Sequence, residues 1–150
     1  MSSLIESVVN YFQTDEWPIE LTNGNVVRTA FRGDNGQWSC NGWIREAEEQ
    51  FVFYSVCPLS VPEARYMAIA EFITRANYGM VIGNFEMDFS DGEVRYKTSI
   101  DVEGSELTLE ICRQVVITNV MLMDRYLPGI MAVITGAQTP AQAIAQIEAH

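Results

Sequence analysis

With 150 residues, 48% of them hydrophobic, the chain can bury a continuous core without disulfides or metal staples, and one domain is expected. Acidic residues outnumber Lys and Arg by 20 to 9, and the formal charge of −11 argues against nucleic acid or an anionic lipid surface as a partner. The cations are almost all Arg, spaced singly between Arg28 and Arg125, so no basic stripe is visible, and no apolar run approaches the length of a membrane span.

The first element is read from SLIESVVNYF, where Leu4, Val8 and Phe12 recur at helical spacing and Ser3 with Glu6 makes a capping-box pair. No Lys or Arg precedes Arg28, so the basic opening of a secretory signal is missing and a cytoplasmic protein is expected. After Pro18 the pattern changes to VVRTAF, QWSCNGWI and QFVFYSV, three strands of a meander. Asn35-Gly36 suits a tight hairpin turn, and Gly42 inside the second strand reads as a bulge. The third of these strands is apolar on both parities, so it should be central or covered on both faces.

Helical period returns in PLSVPEARYMAIAEFITRANYGM, which starts with Pro62 in its first turn and stops between Asn77 and Gly83. Ala64, Ala68, Phe72 and Ala76 line its apolar stripe, broadened by Met67, Ile69 and Ile73. NFEMDFSDGEVRYKTSID then gathers five acidic residues around Asp91-Gly92, in a spacing that fails the calcium-loop pattern. A two-residue turn there sets Phe89 opposite Val94, Met87 opposite Tyr96 and Phe85 opposite Thr98, with Asp88 facing Arg95 and Glu86 facing Lys97 on the other side. The stretch is therefore a hairpin and not a metal site.

The last third, SELTLEICRQVVITNVMLMDRYLPGIMAVITG, is a long helix that Pro128 is expected to kink or divide. Ile111, Val115 and Leu122 form one apolar stripe, and Cys112, Val116, Met123 and Leu127 a second, more than one face against a sheet would bury. Either a second subunit covers the surplus or a terminal helix does, with Thr139 as cap, Pro140 as first residue, and Ile144 and Ile147 on its inner face. The element order α-βββ-α-ββ-α(-α) is that of an α+β fold, a mostly antiparallel sheet of about five strands packed with helices.

Chemistry is sparse. The only histidine, His150, is the last residue, a poor place for a catalytic group, and the phosphate-loop, dinucleotide and nucleophile-elbow signatures are absent. Glu46 with Glu48, or Asp101 with Glu103, could project from one strand face as an acid and base pair, but solvated charge at strand ends is the plainer reading. Cys40, Cys57 and Cys112 are odd in number and lack C-x-x-C spacing, which fits buried free thiols. No catalytic residue, metal ligand or cofactor is expected. The candidate interaction surface comprises Val116, Met121, Met123, Leu127 and Met131, whose methionines offer adaptable contact area; the alternative is a small-molecule pocket lined by Trp38, Trp43, Phe51 and Tyr54.

Three stretches together resemble the YbjN family of bacterial sensory-transduction regulators. They are YSVCPLSVPEARYMAIAEFITRANYGM with Pro58, Pro62 and Asn77; GNFEMDFSDGEVRYKTSIDVEG; and NVMLMDRYLPGIMAVITG with Asn119, Asp124, Tyr126 and Pro128. The resemblance implies a fold similar to type III secretion chaperones, small acidic dimeric α+β proteins that bind a partner chain, and it carries no catalytic residue with it. The expected protein is thus a non-enzymatic, cytoplasmic homodimer that binds an unidentified protein partner.

Overall fold

Residues 3–149 are described by the computed structural model, in the order α1 (Leu4–Thr14), β1 (Glu20–Thr22), β2 (Val26–Arg32), β3 (Gln37–Arg45), β4 (Gln50–Val56), α2 (Tyr66–Asn77), β5 (Asn84–Met87), β6 (Val94–Asp101), α3 (Leu109–Thr135) and α4 (Pro140–Glu148). Six strands form one antiparallel sheet in the order β1-β2-β3-β4-β6-β5, one strand more than the sequence pattern indicates. The added strand, β1, has only three residues, too few to display an alternation.

Helices α1 and α3 pack on the same face of the sheet, which buries Val27, Trp38, Cys40, Ile44, Phe51, Phe53 and Tyr96. Residues of opposite parity, such as Arg28, Ser39, Trp43 and Ser99, remain exposed. At the amino end of α1 the N–H groups of the first three helical residues all find side-chain acceptors, and the helical ladder begins with the fourth. Ser3 Oγ accepts from Glu6 N, Ser3 O accepts from Ser7 N, and the Glu46 carboxylate, from the β3–β4 turn, accepts from Leu4 N and Ile5 N at 2.9 and 3.1 Å. At its other end Asp15 takes two charge-assisted bonds from Arg113 of α3, at 2.9 and 2.8 Å, so both helices are held to one another by a bidentate ion pair.

The long helix is fixed over the centre of the sheet by Asn119, which is fully buried. Its side-chain nitrogen donates to Phe53 O, Tyr96 O and Thr98 Oγ1, at 2.9, 3.1 and 3.1 Å, while Thr98 Oγ1 donates to Val115 O. A polar group here costs free energy unless bonded, and these bonds from Nδ2 fix the registry of α3 on β4 and β6, while the amide oxygen Oδ1 is buried without a hydrogen-bond partner.

Pro128 neither ends nor divides α3, which runs 27 residues without interruption. The proline has no N–H for the carbonyl four residues earlier, that of Asp124. Asn35 supplies the missing donor: its Nδ2 reaches Asp124 O at 3.0 Å. The Asp124 carboxylate in return accepts from Asp34 N and Asn35 N at 3.1 and 2.9 Å. This exchange also reshapes the β2–β3 turn. Asn35 has a negative φ and Gly36 is nearly extended, and the chain closes through a Gly33 N to Gly36 O bond, not through the left-handed pair expected of Asn-Gly. Gly33 is required because a Cβ there would lie 2.3 Å from Asp124 Oδ1.

Three further expectations are corrected. Gly42 makes no bulge, since both its ladders run in unbroken register; it is small because the Phe51 ring edge lies 3.1 Å from where its Cβ would be. The β5–β6 register is displaced by two residues, with Met87 opposite Val94, Phe85 opposite Tyr96 and Glu86 opposite Arg95. A two-residue displacement keeps every side chain on its expected face. Its cause is local: Asp88 Oδ1 accepts from Ser90 N and Oγ, and Asp91 Oδ1 from Glu93 N, folding residues 88–93 into a wider loop. In α2 the buried stripe is Ile69, Phe72, Ile73 and Ala76, whereas Ala64 is exposed and lies before the helix.

Candidate protein-binding surfaces

The residues expected on one surface of α3 divide. Val116, Met123 and Leu127 are buried in the core, so they are not an interaction surface; Met121 and Met131 are exposed. The reason is geometric, because Val116, Met123 and Leu127 turn toward the sheet along with Asn119, and the stripe opposite them carries Ile117 and Met121. The terminal helix buries part of the surplus apolar area: α4 packs on α2 and α3, inserting Ala143 and Ile144, with Ile147 so close to Gly129 that a Cβ there would meet its Cδ1 at 2.5 Å. Thr139 caps it in a full capping box with Gln142.

Beside the uncovered part of α3 lies the segment between α2 and β5. Its backbone is anchored, since the buried Tyr96 hydroxyl donates to Ile82 O, and Gly83 adopts φ 75° against Lys97 O where a Cβ would clash at 2.5 Å. Met80 packs against the core, but Tyr78 and Val81 point outward, 88% and 90% exposed. Between this segment and α3 runs an open groove of about 580 Å³ lined by Tyr78, Val81, Ile82, Thr118 and Leu122, with Arg125 and Glu148 at one end. Ile117 and Met121 are exposed on the neighbouring stripe of the helix and do not line the groove itself. The sequence carried this signal in NYGMVIG, an apolar run immediately after the helix stop, which reads only as a loop when periodicity is the criterion.

The four aromatic residues of the alternative pocket do not meet. Trp38 and Trp43 are five residues apart on one unbroken strand, and Phe51 and Tyr54 three apart on the next, so each pair is split between the two sheet faces. Trp38 and Phe51 are buried under the helices, and Trp38 Nε1 donates to Ser55 Oγ at 2.9 Å. On the opposite face the Arg45 guanidinium lies 4.8 Å from the Trp43 ring and that of Arg95 4.0 Å from the Tyr54 ring.

The paired carboxylates have structural occupations. Glu46 caps α1 and Glu48 pairs with Arg45 at 3.4 Å. Asp101 accepts from Gln50 Nε2 and from Glu103 N, bonds that hold its carboxyl below the usual carboxylate range. Burial pushes the thiols of Cys40 and Cys112 up to about 12 and that of Cys57 to about 11, against the direction that activates a cysteine. His150 lies outside the described residues. Among the described residues no group of three or more His, Cys, Asp or Glu side chains could hold a metal ion, and no helix is long and apolar enough to cross a membrane.

The sheet, the long pinned helix and the helix before β5 make up the α+β fold of type III secretion chaperones. It superimposes on a chain of the HopA1–SchA chaperone–effector complex with a TM-score of 0.54 at 12% identity, covering 79% of this chain and 88% of that one. A chain of the ExsC–ExsE complex gives a TM-score of 0.52 at 12% identity, over 82% of this chain and 90% of that one. YbjN from E. coli gives a TM-score of 0.62 at 9% identity, over 89% and 90% of the two chains. Residues 5–131 match the model of the YbjN family, described as "Putative bacterial sensory transduction regulator", and the chain belongs to that family. No curated protein sequence matches it.

Proposed function

We propose that this chain works as one non-enzymatic, cytoplasmic domain, a homodimer that binds a segment of another protein. The observation that carries the reading is the open groove between Tyr78–Ile82 and α3, of mixed polar and apolar lining, where Tyr78 and Val81 stand almost fully exposed on an anchored backbone. Exposed apolar area of this kind, rimmed by polar groups such as Arg125 and Glu148, is the usual mark of a protein interface. Three buried free cysteines agree with a reducing compartment. The superposition on chains of chaperone–effector complexes supports a fold suited to holding a partner chain, and fold alone does not name the partner.

We place the contact between the two copies along this groove and the exposed stripe of α3 beside it, and light scattering over a wide dilution series tests that dimer. The expected result is a mass of two chains that dissociates about tenfold more readily in Val81→Asp and in Met121→Glu, both retaining the circular dichroism of the parent. A folded monomer at every concentration, or a dimer indifferent to both substitutions, overturns the dimer and its placement.

A further inference from the structure

We propose that Asn23-Gly24 is a spontaneous modification site, where the asparagine deamidates in the folded protein, while the fold holds the other two Asn-Gly pairs of the chain unreactive. The dipeptide occurs three times, as Asn23-Gly24, Asn35-Gly36 and Asn41-Gly42. In each the glycine has no side chain to screen its amide nitrogen, which can therefore attack the neighbouring carboxamide. The bond from the Gly nitrogen to the Asn Cγ forms, the Cγ–Nδ2 bond breaks, and the proton given up by the glycine nitrogen leaves with the amide as ammonia. Water then opens the cyclic imide at either carbonyl, giving aspartate, or isoaspartate with the main chain rerouted through the side-chain methylene. Water is consumed, ammonia is released and a carboxylate is gained, with no oxidant, reductant or partner protein, so the reaction is independent of the binding reading above.

Cyclisation requires the side chain to swing and the main chain to turn until the glycine nitrogen reaches Cγ, so the bonds that restrain each pair set its rate. Restraint is greatest at Asn35. Its Nδ2 donates to Asp124 O at 3.0 Å, its own N–H and that of Asp34 donate to the Asp124 carboxylate, and Gly33 N closes the turn onto Gly36 O. Gly36 is also pressed against α3, where a Cβ would stand 2.8 Å from Leu127 Cδ2. Asn41-Gly42 lies in the middle of β3, and ladders to β2 on one side and β4 on the other hold its backbone extended.

Asn23-Gly24 has none of these restraints. It forms the turn between β1 and β2 at the outer edge of the sheet, with left-handed backbone at both residues, φ 56° and 74°. Nothing lies within 4 Å of where a Gly24 Cβ would stand, and among the described residues the Asn23 carboxamide makes no hydrogen bond. The turn is closed by Asn25 N to Thr22 O at 3.3 Å. Strand β1 has three residues and pairs with Val26, Val27 and Arg28, so this hairpin can open while the rest of the sheet stays intact. Access to solvent does not separate the two turns, since Asn35 is exposed just as Asn23 is; bonding does. Isoaspartate at position 23 inserts a methylene into the main chain of a turn whose geometry sets the β1–β2 register, and so loosens the strand that covers the edge of β2.

The test incubates the full chain in mildly alkaline buffer at physiological temperature, native and in urea, and follows each pair by peptide mapping and mass spectrometry. The rate of each pair in urea is its own reference. In the native protein Asn23 should convert within about tenfold of its reference, and Asn35 and Asn41 at least about a hundredfold below theirs, because their opening draws on the stability of the whole domain. Asn23→Gly suits a left-handed turn and has no carboxamide, so it should abolish the gain of negative charge seen by ion exchange in the native protein. After conversion, hydrogen exchange should quicken at β1 while α3 keeps its protection. Conversion of Asn23 no faster than that of Asn35 in the native chain, a native charge change that survives Asn23→Gly, or unaltered exchange at β1 after conversion overturns the inference.

Discussion

At Asp124 one side chain settles two problems that are distant in sequence. Its carboxylate closes the β2–β3 turn, and its carbonyl, deprived of a helical donor by Pro128, is served by Asn35 from that same turn. Asp124→Asn should be poorly tolerated, since one oxygen that accepts from a backbone N–H becomes a donor facing that N–H. The expected loss is about 2–3 kcal/mol, a fall of roughly 5–10 °C in melting temperature by calorimetry. Asn35→Ala should leave Asp124 O unpaired and cost less, because the two main-chain bonds to the carboxylate survive. The Asp15–Arg113 pair adds a pH signature. Arg113 holds the Asp15 carboxyl below its ordinary value, so the folded state binds its proton less readily than the unfolded chain. Its contribution is present above the unfolded carboxylate pKa and fades as the pH falls through the depressed folded value. Asp15→Asn should accordingly lower the melting temperature at pH 7, with the difference from the parent shrinking as the pH falls through the depressed carboxyl value.

At the level of elements, α3 shows how far periodicity reaches. Its 27 residues carry apolar side chains nearly all round, and hydrophobic spacing does not distinguish the stripe against the sheet from the stripe against solvent. Asn119 does, because a fully buried amide bonded to β4 and β6 forces Val116, Met123 and Leu127 inward and leaves Ile117 and Met121 outside. Met123→Glu should therefore unfold the chain, with loss of the cooperative thermal transition, whereas Met121→Glu should melt within about 2 °C of the parent, as exposed substitutions do. In the β5–β6 hairpin the faces were legible from alternation but the partners were not, since Asp88 and Asp91 bond to their own loop and lengthen it. Strand β1 left no pattern to find, and α4 was legible from its cap, its proline and its two isoleucines.

For the molecule as a whole, three thiols report on cooperativity. Cys40 lies on β3, Cys57 just beyond β4 and Cys112 on α3, all buried with raised pKa values. Alkylation followed by mass spectrometry at pH 8 should find all three unreactive in the native protein and modified together once denaturant unfolds it. Modification of Cys57 alone at low denaturant would show instead that the loop after β4 opens independently.

The sequence by itself determined the element order apart from β1, the α+β fold, the strand faces and the caps of α1 and α4, all of which follow from local spacing, and the family through the resemblance of three stretches. Tertiary structure alone decided which stripe of α3 is core, why Pro128 leaves the helix whole, and which Asn-Gly turn is clamped. Those outcomes depend on contacts between residues remote in the chain: an amide from a turn reaching a helix, and a buried amide of that helix reaching two strands. Spacing along a chain records which side of its own element a residue occupies, and only packing determines what that side meets.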